Sequence, residues 1–507
     1  MDKKIIFALL GNVLIAFTVT FSIPIFYAAV ITQSLYHVII FSATALVTAI
    51  FGVTLNRLSV NHRRRLPIFE SALALMLIYP SIALIGMVPF VLTSELFIVD
   101  AFLETISDVT SAGLSIMSSD APYIFRIWQS VLMWFGSLIF LTTLVTLMPE
   151  VGGCFGLSMS LQGGQLFSPL FGQMNSMTQR MIKVYGGLTL FSFALFKLAG
   201  LNFWDALLMA MRCISTGGGN FFPARESYFV EYAAIFSMLL ACGNFLLYHR
   251  LIQTLPPPRS AEKVSPQVEA RNFVKRLRQN IFDNIKTFYT NSEVKACTLI
   301  IFFGVIFIFF ATMLRDSTLN ADEVMIYALF HVVSYISTTG INLFELEGAH
   351  DFDKFFVFLT AIFGGCMGSV TGGLKMIRVL VLFKTTAAEI KKTVHPHMLT
   401  TIRVNEKPVP LEIVGRILGF FFMVCITLFI CSALLSFMGA QFSEAVAISI
   451  VCLTNVGILP GIAEPQTFLE LSNAAKLFCT LILVTGRVEI FAVMILLAKL
   501  VSMRHRR

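Results

Sequence analysis

Ser337-Thr338-Thr339-Gly340 closes a short apolar segment, Val324–Ile336, and leads directly into Ile341-Asn342-Leu343-Phe344. That segment is shorter than the ~20 residues a helix needs to cross the hydrocarbon core of a bilayer. A polar run ending in glycine at the tip of such a helix reads as chain that enters a membrane and turns back. Three variants occur elsewhere: Thr110-Ser111-Ala112-Gly113, Ser215-Thr216-Gly217-Gly218 and Thr454-Asn455-Val456-Gly457. The glycines at 113, 217, 340 and 457 are spaced almost evenly, as in four repeats around a shared axis.

The composition supports a membrane setting. Of 507 residues, 57% are hydrophobic and only 13% charged, against about 25% charged in a soluble domain. The class expected is an all-α polytopic membrane protein. The net charge of +8 reads as cytoplasmic loops rich in Lys and Arg, not as a nucleic-acid surface. The nine cysteines contain no CxxC pair and lie mostly in apolar runs, so they read as small buried hydrophobes. Met1-Asp2-Lys3-Lys4 followed by an apolar stretch resembles a leader, but the stretch continues to about Ile31 without a small-residue cleavage site. It reads as a retained helix.

Taken in order, Ile5–Ile31 and Leu35–Leu55 form an N-terminal transmembrane hairpin within residues 1–62, flanked by Lys3, Lys4 and Arg63-Arg64-Arg65. Repeat 1 (63–155) reads as helix Leu66–Leu92, short segment Ala101–Val109 and return helix Ile124–Leu147. Repeat 2 (156–258) reads as Met181–Leu198, Phe203–Ile214 and Tyr228–Leu251. A basic cytoplasmic loop (259–292) carries Lys263, Arg271, Lys275, Arg276 and Arg278. Repeat 3 (293–410) has Val294–Met313, Val324–Ile336 and an overlong Phe355–Phe383 broken by a glycine-rich run, Gly364–Gly373. Repeat 4 (411–507) has Ile413–Phe437, Ser443–Leu453 and Asn473–Leu500. The basic flanks put both termini in the cytoplasm. The outer segments are mostly acidic, for example Asp100, Asp322, Glu323 and Glu464. That pattern fits either an outer mouth that concentrates cations or loops free of positive-inside pressure.

A cation crossing a bilayer must exchange its water shell for protein oxygens. Rings of backbone carbonyls supply them, and glycine lets successive carbonyls share a direction. The expected ion-binding set, mainly through carbonyls, is Thr110, Ser111, Ala112, Gly113, Ser215, Thr216, Gly217, Thr338, Thr339, Gly340, Thr454, Asn455, Val456 and Gly457. Close helix packing is the competing reading for these glycines. It suits the GxxxG pairs Gly364/Gly368 and Gly368/Gly372, but not four segments too short to pack across a bilayer. Arg487 stands out inside Leu477–Leu500, where a charge costs about 2.5–3.5 kcal/mol and so should face a cavity or a partner. Glu489 is two residues on, near the opposite face, so a pair within the helix is not expected. Glu104 and Asp108 share one helix face without a nucleophile or histidine, so they read as outer-mouth charges and the chain as no enzyme. His395-Pro396-His397 offers too few ligands for a metal. No GxxxxGK[ST] occurs, so nucleotide would act through a partner.

The four loops, the run Gly364-Gly365-Cys366-Met367-Gly368-Ser369-Val370-Thr371-Gly372-Gly373-Leu374-Lys375 and Gly486-Arg487-Val488-Glu489 resemble the Trk/Ktr/HKT superfamily of potassium transporters, most nearly its bacterial TrkH branch, across essentially the whole chain. The resemblance implies a pseudo-fourfold pore, an N-terminal helix pair, a homodimer and a cytoplasmic TrkA-like nucleotide-binding partner. The transported ion would be K+, crossing the bacterial inner membrane as a channel or by symport. It places the filter glycines at Gly113, Gly217, Gly340 and Gly457, and four glycines accompany K+ where serine at the first accompanies Na+. It also implies gating by Gly364, Gly365, Gly368, Gly372, Gly373, Lys375 and Arg487. A Na+-conducting or Na+-coupled relative of the same fold, and a secondary transporter for an organic solute, are the alternatives.

Three departures stand out. The first loop reads Thr-Ser-Ala-Gly, and the gating run has Val370-Thr371-Gly372 where Thr-Gly-Gly is usual, which should stiffen it. Arg212 lies in the second short helix, where a neutral polar residue is expected. It would either weaken K+ binding or pair with Asp205.

Overall fold

The computed structural model describes residues 3–57, 68–93, 95–117, 121–146, 170–219, 222–223, 228–245, 247–248, 290–315, 320–342, 351–397, 401–405, 407–459 and 462–504. The basic loop expected over 259–292 lies almost wholly outside them, as do Arg63-Arg64-Arg65. Among the described residues seven helices are long and apolar enough to cross a membrane, and a pair bent by 107° would make an eighth. The protein is an all-α polytopic membrane protein.

The N-terminal hairpin pairs α1 (Lys3–Thr20) and α2 (Ser22–Val30) with α3 (Leu35–Arg57). The break between α1 and α2 falls where Pro24 cannot donate to the Thr20 carbonyl. The hairpin is close-packed because Gly11 and Gly52 have no side chains. A Cβ on Gly11 would lie 2.8 Å from the Gly52 carbonyl oxygen.

Each repeat then places a half-length helix between two longer elements. In repeat 1, α4 (Ile68–Gly86) and α5 (Val88–Leu92) lead to the pore helix α6 (Ile98–Val109), and α7 (Tyr123–Thr146) returns. In repeat 2, α8 (Leu170–Leu198) precedes pore helix α9 (Phe203–Ser215) and α10 (Tyr228–Cys242). In repeat 3, α11 (Ser292–Arg315) precedes pore helix α12 (Ala321–Ile336), then α13 (Asp351–Ile362) and α14 (Met376–Val394). A small hairpin, β1 (Arg403–Val404) with β2 (Lys407–Pro408), leads to repeat 4. There α15 (Leu411–Phe437) precedes pore helix α16 (Phe442–Thr454), the short α17 (Pro465–Leu469), α18 (Asn473–Val488) and α19 (Ile490–Arg504). Asn202 caps α9 by accepting from Asp205 N at 2.8 Å, which fixes where that pore helix starts.

Two return helices differ from the sequence expectation. Tyr228–Leu251, expected as one helix, stops at Cys242, where Gly243 packs against the Tyr248 ring. Asn473–Leu500 breaks at Glu489, whose φ of 71° and ψ of 140° no helix accommodates. The carboxylate of Glu489 holds that break through an ion pair with Arg378 at 2.9 Å. The Gly364–Gly373 run is irregular chain between α13 and α14, so its GxxxG spacing does not pack one helix on another.

Candidate ion pathway

The four loops share one turn and differ just after it, where Gly113, Gly340 and Gly457 have positive φ but loop 2 has it at Gly219. Each pore helix ends with a residue in the left-handed region: Ser111 (φ 57°), Thr216 (56°), Thr338 (55°) and Asn455 (53°). The next amide donates back to the carbonyl five residues earlier: Ala112 to Ser107 (2.8 Å), Gly217 to Arg212 (3.1 Å), Thr339 to Ser334 (2.9 Å) and Val456 to Val451 (3.3 Å). One residue further on come Gly113, Gly218, Gly340 and Gly457. The register of the second loop is therefore one residue later than the sequence reading: Gly218 corresponds to the other three glycines, and Gly217 corresponds to Ala112, Thr339 and Val456.

These glycines are where neighbouring loops touch. A Cβ on Gly113 would lie 2.7 Å from the Gly217 carbonyl oxygen, and one on Gly457 would lie 2.6 Å from that of Ala112. A Cβ on Gly218 would strike the Thr339 carbonyl oxygen, and one on Gly340 that of Val456. Loop 1 thus abuts loop 2, loop 2 abuts loop 3, loop 3 abuts loop 4, and loop 4 returns to loop 1. Four segments scattered over the chain close into one ring, and a side chain at any of these glycines would push its neighbour's backbone away.

The hydroxyls of the loops do not all face the same way. Thr110 and Thr454 each donate to their own helix, at 2.7 and 2.8 Å. Ser111 lies against Ser137 at 2.5 Å, and Ser137 donates to the Ser215 carbonyl at 2.7 Å. Thr338 Oγ1 accepts from Gly372 N at 2.9 Å. Asn455 Nδ2 donates to the Leu483 carbonyl at 3.2 Å, anchoring loop 4 to α18. The coordinating inventory left to the ring is therefore mostly main-chain oxygen.

The Gly364–Gly373 run is packed beneath loops 3 and 4. Besides the Thr338 bond, a Cβ on Gly372 would strike the Thr454 carbonyl oxygen. The run is braced on its other side: Cys366 N donates to the Cys242 carbonyl at 3.0 Å, and Met367 N donates to Glu293 Oε2 at 3.1 Å. Phe245 N donates to the Gly368 carbonyl at 3.2 Å. Gly365 N donates to Thr371 Oγ1 at 3.0 Å, and Gly364 N to the Leu374 carbonyl at 2.8 Å. Gly373 has a φ of 63°. Lys375 turns its ammonium into the run, donating to the Thr371 carbonyl.

Arg487 is fully buried and joins the run to the ring. Its Nη1 donates to the Val370 carbonyl at 2.9 Å and its Nη2 to Ser137 Oγ at 3.0 Å, with Ser111 Oγ at 3.4 Å. Its guanidinium lies over the Phe140 ring, 4.2 Å from the centroid. Arg487, Lys375, Arg378 and Glu489 line a narrow cavity of about 60 Å³ that reaches loop 4 at Thr454. Arg487 has no carboxylate partner among the described residues, so the ion pair in this region belongs to Arg378 and Glu489. Sequence reading missed that pair because its members are remote in the chain.

Glu104 and Asp108 are not at an outer mouth. Both are fully buried behind the ring. Glu104 accepts from Gln129 Nε2 at 2.5 Å and from Ile116 N at 2.8 Å. Arg212 does not turn to Asp205, which accepts from Tyr123 and Asn202. It donates to Ser130 Oγ at 2.7 Å, Gln129 Oε1 at 3.2 Å and the Gly218 carbonyl at 3.1 Å.

Comparison with known proteins agrees with this architecture. Residues 44–504 match the family described as TrkH, cation transport protein. The chain is 26% identical to the Trk system potassium uptake protein TrkH of Vibrio parahaemolyticus, over 86% of each chain. It is 24% identical to the protein of that name from Halomonas elongata, over 98% of each. The crystal structure of the potassium transporter TrkH from Vibrio parahaemolyticus superposes with a TM-score of 0.83 over 98% of this chain and 99% of that one, at 22% identity. With four half-length helices closing one ring in a bundle of membrane-spanning helices, and with most of its length matching, the chain belongs to the TrkH family of cation transport proteins.

Proposed function

We propose that the protein takes up K+ across a bacterial inner membrane through one pathway per chain. The observation that carries this is the closed ring of main-chain oxygens around Gly113, Gly218, Gly340 and Gly457, an arrangement that replaces a cation's water shell. The relatives named as potassium uptake proteins support K+ as the ion. Thr110, Ser111, Ala112, Ser215, Thr216, Gly217, Thr338, Thr339, Thr454, Asn455 and Val456 complete the loops that hold the ring.

The gate is the Gly364–Gly373 run with Lys375 and Arg487. Gly372 packs on loops 3 and 4 and Arg487 ties Val370 of the run to Ser137 beside loop 1, contacts that support movement of the run as the step that accompanies flux. Control from the cytoplasm would come through a TrkA-like nucleotide-binding partner, in keeping with the relatives' description as parts of a Trk system. A homodimer with both termini cytoplasmic is the assembly proposed.

Rubidium uptake into proteoliposomes, with K+ and Na+ as competitors, tests the reading. Uptake should be blocked by K+ and not by Na+. Gly340→Ser should abolish it, because the new Cβ meets the Val456 carbonyl and the residue sits at φ 70°. Arg487→Ala should raise uptake by removing a charge and freeing the Val370 carbonyl. Uptake indifferent to Gly340→Ser would refute the ring as the selective element.

A further inference from the structure

The repeats differ at one position that touches the ring. The residue whose carbonyl receives the loop's first turn is Ser107 in loop 1, Arg212 in loop 2, Ser334 in loop 3 and Val451 in loop 4. In loops 1 and 3 the serine hydroxyl secures the chain just past the ring glycine: Leu114 N donates to Ser107 Oγ at 2.7 Å, and Ser334 Oγ donates to the Ile341 carbonyl at 2.8 Å. In loop 2 an arginine does this work. Its Nη1 donates to the carbonyl of Gly218, the ring glycine itself, at 3.1 Å, and a Cβ on Gly219 would lie 3.0 Å from that nitrogen.

We propose, resting on the ring as the cation site, that Arg212 is a positioning and affinity-setting residue. It fixes the Gly218 carbonyl and places a buried positive charge one hydrogen bond away from one quarter of the ring. Gly218 directly follows Gly217, whose carbonyl loop 2 offers to the ring, so the charge stands close behind that oxygen and repels a passing cation through a weakly screening interior. The ring therefore binds less tightly than four equivalent loops would. Conduction needs this balance, since an ion held too firmly leaves slowly.

The surroundings are built to keep the charge in place. Arg212 is 2% exposed. It donates to Ser130 and Gln129, and Gln129 in turn donates to Glu104. Asp108, one turn beyond Glu104 and in electrostatic contact with Arg212, has no hydrogen-bond partner among the described residues. The first pore helix thus turns two buried carboxyl groups toward the surroundings of an arginine on the second, whose charge is held by hydrogen bonds to Ser130, Gln129 and the Gly218 carbonyl.

The test is the concentration dependence of rubidium uptake by the full chain in proteoliposomes. Arg212→Gln keeps a donor and most of the volume but removes the charge. It should lower the KM for Rb+ by about tenfold, the ratio corresponding to about 1.4 kcal/mol, and lower the maximal rate as well. Arg212→Lys should stay near the parent values. Because Arg212→Gln leaves Glu104 uncompensated, Arg212→Gln with Glu104→Gln is run beside it and should show the same lowered KM. An unchanged or raised KM in folded Arg212→Gln would overturn the proposal. So would failure of both uncharged variants to fold while Arg212→Lys folds, since the arginine would then serve the bundle alone. Gly340→Ser in the same series separates the two readings. If Gly340→Ser abolishes uptake and Arg212→Gln leaves KM unchanged, only the role of Arg212 fails; if Gly340→Ser changes nothing, the ring itself fails.

Discussion

A methyl group on Gly217 would meet the side chain of Met133, with Cγ 2.8 Å away, and a thioether chain can move aside. A methyl group on Gly218 would meet the carbonyl oxygen of Thr339, whose amide is pinned to Ser334. Backbone held in that way cannot yield without opening the ring. Gly217→Ala should therefore retain rubidium uptake within about twofold, with a modest overpacking cost of about 1 kcal/mol, whereas Gly218→Ala should abolish selective uptake. Equal loss in both variants would remove the register assigned to loop 2. The sequence placed this loop but put its glycine one residue early, at Gly217, because Gly217-Gly218-Gly219 offers three consecutive candidates. What distinguishes them is a hydrogen bond from the Gly217 amide to the Arg212 carbonyl, and no residue type reveals that. The same limit applies to Glu104 and Asp108, whose spacing was plain and whose burial depended on Gln129 and Arg212 arriving from other helices.

At the scale of elements, the half-length pore helices were legible to within a few residues. Their length alone rules out a span, and each ends in a polar run with glycine. The broken return helices were not legible, because neither break has a proline. In repeat 4 the break sits at Glu489, a residue that ordinarily continues a helix, and its left-handed φ of 71° with an extended ψ is a conformation natural only to glycine. The ion pair with Arg378, whose guanidinium also stacks 4.0 Å from the centroid of the Phe420 ring, holds the carboxylate there. Two effects can thus be separated by substitution. Glu489→Ala loses the ion pair and keeps the backbone strain, whereas Glu489→Gly loses the pair and relieves the strain. Glu489→Gly should be the more stable of the two by about 1 kcal/mol, read as a higher midpoint of thermal unfolding in detergent. If Glu489→Ala were the more stable, the break would owe its geometry to something other than this residue.

At the scale of the whole molecule, the ring brings backbone of all four repeats together. It is held by close approach of backbones, with a core that also runs through all four repeats around it. Each loop offers its neighbour a carbonyl oxygen and a glycine with no side chain, so the repeats bring several like dipoles together near one axis. Arg212 reaches loop 2 alone, through the Gly218 carbonyl, and Lys375 and Arg487 donate to carbonyls of the glycine-rich run, those of Thr371 and Val370. A cation in the ring would then act as a ligand bound by the folded bundle and by no unfolded chain. Such a ligand stabilises by mass action, by about 2.7 kcal/mol at one hundred times its dissociation constant. The unfolding midpoint of the purified protein should therefore rise with added K+ or Rb+ at constant ionic strength, while Na+ or choline leaves it unchanged. In Gly340→Ser the rise should vanish, because the Cβ that strikes the Val456 carbonyl opens the contact between loops 3 and 4. In Arg212→Gln the same rise should begin at lower K+, since removing the charge next to the Gly218 carbonyl tightens the site. Stabilisation shared by K+, Na+ and choline alike would mean that salt screens the basic surface and that no ion bridges the repeats.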